Sequence, residues 1–475
     1  MGVRGTFTSL TIGRNSLLAH RTALDTVGHN LANSGVKGYT RQRAQYSPMP
    51  ATLSNIGSLG NGVSITSIQR MGQSLVERRL DQDASDQNEA NSRLTFLRQL
   101  EVVYTDESWG VSSGMTEFFN SFRDLSRNPG SSVQRAEVIA RGSDLQRRFE
   151  SASERIETLR SDLDNELSAH ASEVTQLSSL VADLNREIQD VESAHGSAND
   201  LRDQRQNTVR RIAELVQIRT HNDSDGNTIV QMTSGHTLVS GRRSASLTTE
   251  PDPNNNAMAA VIYTDADGAK SVNVTASVGG GELGGKINAR DNISAAALQR
   301  LDQLAFSLSE AVNTQHRAGF SLSVGGNPPT DQQNFFAPLV SAVGAAQALT
   351  LDAAILGDPR LLAASSSAGG SPGNNENALE LAAIETTSLV AGSRPHDFWS
   401  DQVRQIGDQV ARAQRDSANY DARMQQSTQI REAVSGVSID EELAELVKVQ
   451  ASFEASAKII TTADEMLQTI LRIKR

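Results

Sequence analysis

The stretch of this 475-residue sequence that most resembles part of an enzyme is rich in glycine and ends in a lysine. Residues 280–286 (GGELGGK) have the spacing of a phosphate-binding loop up to Lys286, between a strand-like run and a helical one. The next residue is Ile287, where such a loop carries the Ser or Thr hydroxyl that holds Mg²⁺. We expect a connection between elements here, and a nucleotide-binding protein that uses this loop is the alternative from a different class.

Other patterns that could hold a metal or a nucleophile fail on residue type or spacing. A calcium loop with its glycine at Gly268 would begin at Tyr263, which offers no carboxylate. The eight histidines include no pair at ligand spacing on one helix face, and the sequence has no cysteine. The string G-x-S-x-G occurs at 110–114 and 369–373, but the first lies in a break between helices and the second in a low-complexity loop, not at the strand-to-helix turn of a nucleophile elbow. We therefore expect no catalytic activity, no cofactor and no metal site.

Composition limits the classes of partner. The 44 basic and 56 acidic residues give a net charge of −12, which argues against nucleic acid because phosphate binding needs concentrated Lys and Arg. Hydrophobic residues make up 37% and aromatic residues only 4%, which is typical of long helices with Leu, Ala and Ile seams. No run of 18 apolar residues occurs, so no membrane span is expected. The N-terminus lacks the continuous apolar core of a secretory signal peptide.

Both chain ends carry narrow apolar seams at helical spacing. Four leucines near the start lie seven residues apart, and residues 439–475 repeat apolar side chains in steps of three and four. Such a seam needs another helix to bury it, so we predict that the two ends pair as coiled-coil helices. The alternative is that each packs separately on its nearest domain. The predicted seam residues are Leu10, Leu17, Leu24, Leu31, Leu443, Leu446, Phe453, Ile460, Leu467 and Ile470.

The rest of the sequence predicts a mainly α fold with an inserted small β-domain. Proline is absent from 130–250 and after Pro395, and those gaps favour long helices. Strand-like runs with turn clusters fill residues 218–278. We predict three domains: 1–70 with 436–475 as a terminal helical domain, 71–217 with 286–435 as an elongated helical bundle, and 218–285 as the β-domain.

The segment after the first heptad helix resembles a motif of the axial proteins of the bacterial flagellum, which are its rod, hook and hook-associated proteins. The residues that carry the resemblance are Asn30, Asn33, Gly38, Tyr39 and Arg41. The C-terminus, residues 435–475, is similar to the matching C-terminal motif of that family. Two internal stretches, 198–205 (ANDLRDQR) and 313–320 (NTQHRAGF), resemble the family members at the hook–filament junction.

The resemblance implies a structural subunit of a helical tube, which forms an adaptor ring on the hook on which the filament is built. Another axial protein, such as the second junction protein or the hook protein, is the alternative within the family. The implied partners are further copies of the chain in a ring or helical oligomer, the hook protein, the second junction protein, an export chaperone and the type III export apparatus. Export by the flagellum's own route, without a cleaved signal, implies an extracellular location.

Overall fold

The computed structural model describes residues 2–54, 57–106, 110–194, 196–323, 329 and 332–473. It confirms a mainly α fold with small antiparallel sheets. In chain order the elements are α1 (Gly2–Ala32), β1 (Gln42–Pro48), β2 (Thr52–Ser54), β3 (Gly57–Leu59), β4 (Val63–Arg70), α2 (Ser74–Thr105), α3 (Val111–Arg127), α4 (Ser132–Ser193), α5 (Asn199–Leu215), β5 (Ile218–Asn222), β6 (Thr228–Met232), β7 (Thr237–Ser240), β8 (Arg243–Ser244), β9 (Ser246–Pro251), β10 (Ala259–Thr264), β11 (Ser271–Asn273), α6 (Gly281–Asn288), α7 (Ser294–Ala318), α8 (Ala345–Ala348), α9 (Ala353–Gly357), α10 (Glu376–Ala383), α11 (Pro395–Ser435) and α12 (Ile439–Ile473).

Helix α4 is the longest element, with 62 residues and a length of roughly 90 Å. It begins at a serine cap, because the Ser131 hydroxyl accepts a hydrogen bond from the Gln134 amide at 3.3 Å. One half of α4 packs against other helices and the other half against strands as well. No helix in the described ranges is long and apolar enough to cross a membrane.

Within the described residues, the interior consists of two hydrophobic clusters along α4. The first joins the N-terminal half of α4 to α2, α3, α7, α10 and α11, and it includes contacting aromatic rings such as Phe118, Phe122 and Phe335. The second joins the C-terminal half of α4 to α5, α6 and the strands of β6, β7, β9 and β10. The strands thus share their core with α4, α5 and α6. The predicted boundaries of the β-domain, 218–285, remain a prediction.

The β region consists of two antiparallel sheets, with strand orders β5-β6-β7-β8 and β11-β10-β9. A buried arginine attaches the second sheet to the helices. The Arg290 guanidinium is fully buried, and its Nη1 lies 2.5 Å from Asp164 Oδ1 on α4 and 2.6 Å from the Ala259 carbonyl oxygen on β10. Asp291 completes the ion pairing at 2.7 Å from Arg290 Nε. The charge is therefore fully compensated within the joint.

Helices α2 and α11 pack side by side and carry the chain toward its C-terminal helix. Asp83 on α2 is buried between them, and its two carboxylate oxygens accept from Arg423 at 2.6 Å and from the Ser427 hydroxyl at 2.5 Å. This contact fixes the register of α11 and hence the place where α12 begins.

The glycine-rich loop is packed against its neighbours. Gly280 and Gly281 have φ angles of +64° and +61°, which favour glycine. A Cβ atom on Gly281 would lie 2.4 Å from the backbone carbon of Leu215, so no side chain fits at this position. Lys286 forms an ion pair with Glu166 on α4. The loop returns the chain from the strands to α6, as its sequence predicts.

This packing gives a matched pair of substitutions. Gly281→Val should lower the free energy of unfolding by at least about 2 kcal/mol, because it combines a left-handed backbone with a clash against backbone atoms. Gly279→Ala is the control, since nothing lies within 4 Å of its added Cβ. Urea unfolding followed by circular dichroism measures both variants. Equal stability of the two would contradict the packing role of Gly281.

Candidate functional site at the paired chain ends

The two chain ends pair, as the sequence predicts. Helices α1 and α12 pack along their lengths in antiparallel orientation, with Asn30 of α1 beside Glu442 at the start of α12. Further along, a Cβ atom on Gly13 would lie 2.7 Å from Ile460 Cγ1. The helices therefore run side by side for most of their lengths.

Small residues line the centre of this contact. The buried side chains of α1 include Ala19, Ala23 and Val27. Those of α12 lie seven residues apart, in the heptad spacing of a coiled coil. They are Glu442, Val449, Ser456 and Ala463. Helices with small residues at the contact approach each other closely, so the pair is narrow.

The larger apolar side chains that the sequence singles out flank this centre. All four heptad leucines, Leu10, Leu17, Leu24 and Leu31, are half-buried, and so are Leu446, Phe453, Ile460, Leu467 and Ile470. Leu443 is 43% exposed. Their role in assembly stays a prediction.

Several further apolar side chains of the pair face solvent. On α12, Val447 is 64% exposed and Leu471 is 67% exposed, while on α1 the figures are 54% for Phe7 and 49% for Leu18. Exposed apolar side chains grouped on one element mark interaction surfaces. Val447 escaped the sequence analysis because it lies outside the regular three- and four-residue steps of the seam. We call these exposed and half-buried side chains of α1 and α12 the apolar flanks.

A buried amide ties the helix pair together at its inner end. Asn30 is 1% exposed. Its Nδ2 donates to the Gln42 carbonyl oxygen at 2.8 Å and to Glu442 Oε2 at 2.9 Å. Its Oδ1 accepts from the Tyr39 hydroxyl and from the Gln42 amide, both at 2.9 Å. Two donors and two acceptors are the full capacity of an amide side chain, so Asn30 is completely satisfied.

Arg41 joins the segment after α1 to the beginning of α12. Its guanidinium lies 2.6 Å from Glu441 Oε2 and 2.6 Å from Glu442 Oε1. Its backbone amide donates to the Ser435 carbonyl oxygen at 2.9 Å. Glu442 is 2% exposed, and Arg41 and Asn30 together compensate its charge.

The remaining motif residues shape the turn that carries Arg41. Gly38 has a φ of +84°, and a Cβ there would lie 2.1 Å from Asn207 Oδ1, so only glycine fits. Burial, with the nearby Asp200 second, raises the pKa of Tyr39, which keeps its hydroxyl a neutral donor. Asn33 is half-buried, and its side-chain amide donates to the His29 carbonyl oxygen, one turn earlier, at 2.9 Å.

One of the internal family stretches docks on this motif. Asp203 on α5 accepts from the Thr40 amide at 2.8 Å and from Arg70 Nε at 2.5 Å. Asp200 accepts from Gln42 Nε2 at 2.8 Å. The sequence shows the motif after α1 and the stretch 198–205, but only the fold shows that they contact each other.

An arginine that the sequence analysis missed connects the same site to the helical body. Arg431 on α11 is 7% exposed, and its Nη2 donates to the Gly38 carbonyl oxygen at 2.7 Å. Its Nε lies 3.3 Å from Glu77 Oε1 on α2, and Glu77 also pairs with Arg210 at 2.5 Å. In the sequence it is one of many charged residues of α11, so nothing distinguishes it. We call Asn30, Arg41, Asp203, Arg431 and Glu442, with their partners above, the polar junction.

The second internal stretch forms a separate clamp, far from the polar junction in the sequence. Asn313 Oδ1 accepts from the amides of Phe335 and Phe336 at 2.9 and 2.8 Å. His316 is fully buried; its Nδ1 lies 2.7 Å from the Gln333 carbonyl oxygen, and its Nε2 accepts from the Ala363 amide at 2.9 Å. These partners require a neutral ring, with the proton on Nδ1.

Burial lowers the pKa of His316 from its ordinary value to about 4. The stability that depends on the neutral ring is complete above the unfolded-state pKa near 6.5 and is lost as the pH falls toward 4. We expect the free energy of unfolding to decrease by up to about 3 kcal/mol over this interval. Thermal unfolding at pH 7 and pH 4.5 measures the effect.

Two substitutions separate His316 from the rest of the protein. His316→Gln retains a donor and an acceptor without titrating in this interval, and the pH-dependent loss should shrink. His221→Gln changes an exposed histidine and should leave the loss as it is in the parent protein. An unchanged loss in His316→Gln would show that other groups control the acid sensitivity.

A long helical rod, paired chain ends and apolar side chains left exposed beside a satisfied polar junction are features of a structural subunit. Comparison with known proteins gives the family. The model of the flagellar hook-associated protein FlgK helical domain matches residues 97–336, which is half of the chain. The chain belongs to this family of flagellar hook-associated proteins. The model of the flagellar basal body rod FlgEFG protein C-terminal region matches residues 432–473.

Curated relatives match along nearly the whole chain. Flagellar hook-associated protein 1 of Bacillus subtilis is 26% identical over 98% of this chain and 98% of its own length. The protein of the same name in Escherichia coli is 21% identical, with 97% of this chain and 98% of its own length covered. The structure of the flagellar hook junction protein FlgK from Burkholderia pseudomallei shares the fold, with a TM-score of 0.67 and 15% identity. That likeness covers 75% of this chain and 100% of the solved one.

Proposed function

We propose that the chain is a structural subunit of the bacterial flagellum that forms the hook–filament junction, an adaptor ring on which the filament is built. The observation that carries this proposal is the helix pair of α1 and α12, whose apolar flanks stay open while its inner end is fixed to the body. Relatives named flagellar hook-associated protein 1 match nearly the full length of the chain, which supports the same role.

In this proposal the apolar flanks are the adhesive surface. The contact is heterologous, because the flank of one subunit meets a different surface of the next, and such contacts generate a ring or a helical array. Each apolar Å² removed from water contributes about 25 cal/mol, so a few side chains of the size of Leu or Phe stabilise each contact substantially. The helix pairs would form the inner layer, the helical body the next and the strands the outside.

The remaining partners follow from the same proposal. The subunit leaves the cell unfolded through the type III export apparatus, with an export chaperone, and reaches an extracellular position. Its neighbours are further copies of itself, the hook protein and the second junction protein. The role is mechanical, and the proposal assigns the chain no catalytic activity.

Deletion of the gene tests the role directly. Cells without this protein should make hooks that carry no filaments and should shed filament protein into the medium, because the filament lacks its attachment site. Electron microscopy of the cells and immunoblotting of the medium measure the two effects. Normal filaments on such cells would exclude the junction role.

Two substitutions on α12 and one control on α4 test the surface through which the subunits are proposed to associate. Val447→Asp places a charge on a 64% exposed apolar position, so it should block assembly while the monomer folds normally. Phe453→Asp changes a half-buried flank and should weaken the helix pair as well as assembly. Val133→Asp makes the same change at a 75% exposed position on α4, outside the helix pair, and is the control.

Swimming on soft agar and electron microscopy report assembly, and circular dichroism of purified protein reports the fold. Val133→Asp should support filaments, whereas Val447→Asp should reduce swimming at least tenfold. A working junction built from Val447→Asp would show that this part of the apolar flank is not a contact surface.

A further inference from the structure

A histidine at the end of α1 connects the polar junction to solvent. His29 lies in the last turn of α1, and its side chain is 41% exposed. Its Nδ1 lies 2.9 Å from the Tyr39 hydroxyl oxygen, and its Nε2 lies 3.5 Å from Asp200 Oδ2 on α5. The same Tyr39 hydroxyl lies 2.9 Å from Asn30 Oδ1. One tyrosine hydroxyl therefore joins the exposed imidazole to the buried amide.

The number of protons in this group limits the arrangements that it can adopt. Burial, with the nearby Asp200 second, raises the pKa of Tyr39, so its hydroxyl keeps its single proton. That proton points either to Asn30 or to His29, and it cannot serve both. If it points to Asn30, His29 Nδ1 must carry a proton of its own and donate to the Tyr39 oxygen. Both ring nitrogens then face acceptors, and the charged imidazolium, with two protons, fits this arrangement.

The neutral imidazole produces a different arrangement, because it has one proton for two nitrogens. The Asp200 carboxylate only accepts, so it favours that proton on Nε2. Nδ1 is then an acceptor, and the Tyr39 hydroxyl turns toward it. Asn30 Oδ1 loses one of its two donors and keeps the Gln42 amide. A buried acceptor with an unmet hydrogen bond destabilises the contact that it belongs to.

The charges around the ring are of both signs. Asp200 is 67% exposed, so water screens its attraction for the imidazolium. The C-terminal end of α1 also favours a cation, because the helix dipole places partial negative charge there. Lys37, Asp203 and Arg211 line the same cavity, and the last two form ion pairs with other residues. Since the surrounding charges partly offset each other, the hydrogen bond to Tyr39 is what distinguishes the two protonation states of His29.

We propose that His29 and Tyr39 form a proton-controlled relay that sets how firmly Asn30 holds the start of α12. In mildly acidic solution the imidazolium donates to Tyr39, Tyr39 donates to Asn30, and the polar junction is complete. In alkaline solution Tyr39 turns to the neutral ring, and the contact through Asn30 weakens. A histidine side chain in water loses its proton at about pH 6.5, so the relay responds within the physiological range. This inference concerns the subunit alone and does not depend on the proposed junction role.

Nitrogen NMR of the full-length protein with isotope-labelled histidine tests the proton positions. The signals of His29 are those that disappear in His29→Ala. At pH 5.5 both ring nitrogens of His29 should carry protons, and at pH 8 only Nε2 should. A proton on Nδ1 at pH 8 would overturn the relay, because Tyr39 could then donate to Asn30 at either pH. A ring that is still neutral at pH 5.5 would overturn it as well.

Urea unfolding tests the effect of the relay on the junction. Asn30→Ala should raise the equilibrium constant of unfolding by a factor that is at least threefold larger at pH 5.5 than at pH 8. In a His29→Ala background the factor should be the same at both pH values, because Tyr39 then always donates to Asn30. A factor that does not change with pH in the parent protein would contradict the relay.

Asn33 provides the matched control. Its side chain donates to the backbone carbonyl oxygen of His29, so Asn33→Ala leaves the ring and its partners in place. The effect of Asn33→Ala on the unfolding constant should therefore be equal at pH 5.5 and pH 8. Each variant is compared with its parent at one pH, so the acid sensitivity that His316 contributes cancels in these comparisons.

A further pair of variants covers the case in which Asn30→Ala does not fold. His29→Ala should destabilise the parent protein more at pH 5.5 than at pH 8, because only the protonated ring supports the bond from Tyr39 to Asn30. In a Tyr39→Phe background, which lacks the hydroxyl, this difference between the two pH values should shrink at least threefold. An unchanged difference would overturn the relay, because His29 would then act through Asp200 alone.

Discussion

The buried amide of Asn30 is the contact on which the arrangement of the chain ends depends. It joins the end of α1, the start of β1 and the first turn of α12, three segments that are distant in sequence. A buried amide with an unmet hydrogen bond would destabilise the fold by roughly 1–3 kcal/mol, so only one relative position of these segments satisfies it. This polar contact therefore fixes the relative orientation of the segments, rather than adding strength to the apolar packing of the helices.

The same solution recurs where other segments meet. Arg290 attaches the strands to α4, and His316 and Asn313 attach the loop before α8 to α7. A chain with 4% aromatic residues has few large side chains with which to specify each joint by shape. Buried polar groups specify joints instead, because each accepts only partners at the right distance and angle. The apolar side chains that remain can then lie at the surface, where they are available for association.

Periodicity explains which parts of this architecture the sequence predicts. The spacing of apolar residues and the gaps in proline indicate the long helices, the paired ends and the β insertion, since each depends on local pattern. The centre of the pair was not predictable in this way, because Ala19, Ala23 and Ser456 contribute little to a hydrophobic pattern. The contact of Asp203 with Thr40 joins residues far apart in the chain. The family resemblance indicated the motif residues, whereas the residues that they contact depend on the tertiary fold.

In the proposed junction role, this arrangement would let a subunit be stable alone and still associate with its neighbours. If large apolar side chains formed the centre of the helix pair, the monomer would bury them and leave little to drive association. Small residues at the centre allow the two helices to pack together without fully burying Phe453 or Leu446. Both side chains stay half-buried. The polar junction supplies the orientation that a weak, small-residue seam cannot. A neighbour that covers the flanks therefore gains apolar burial without first having to break contacts within the subunit.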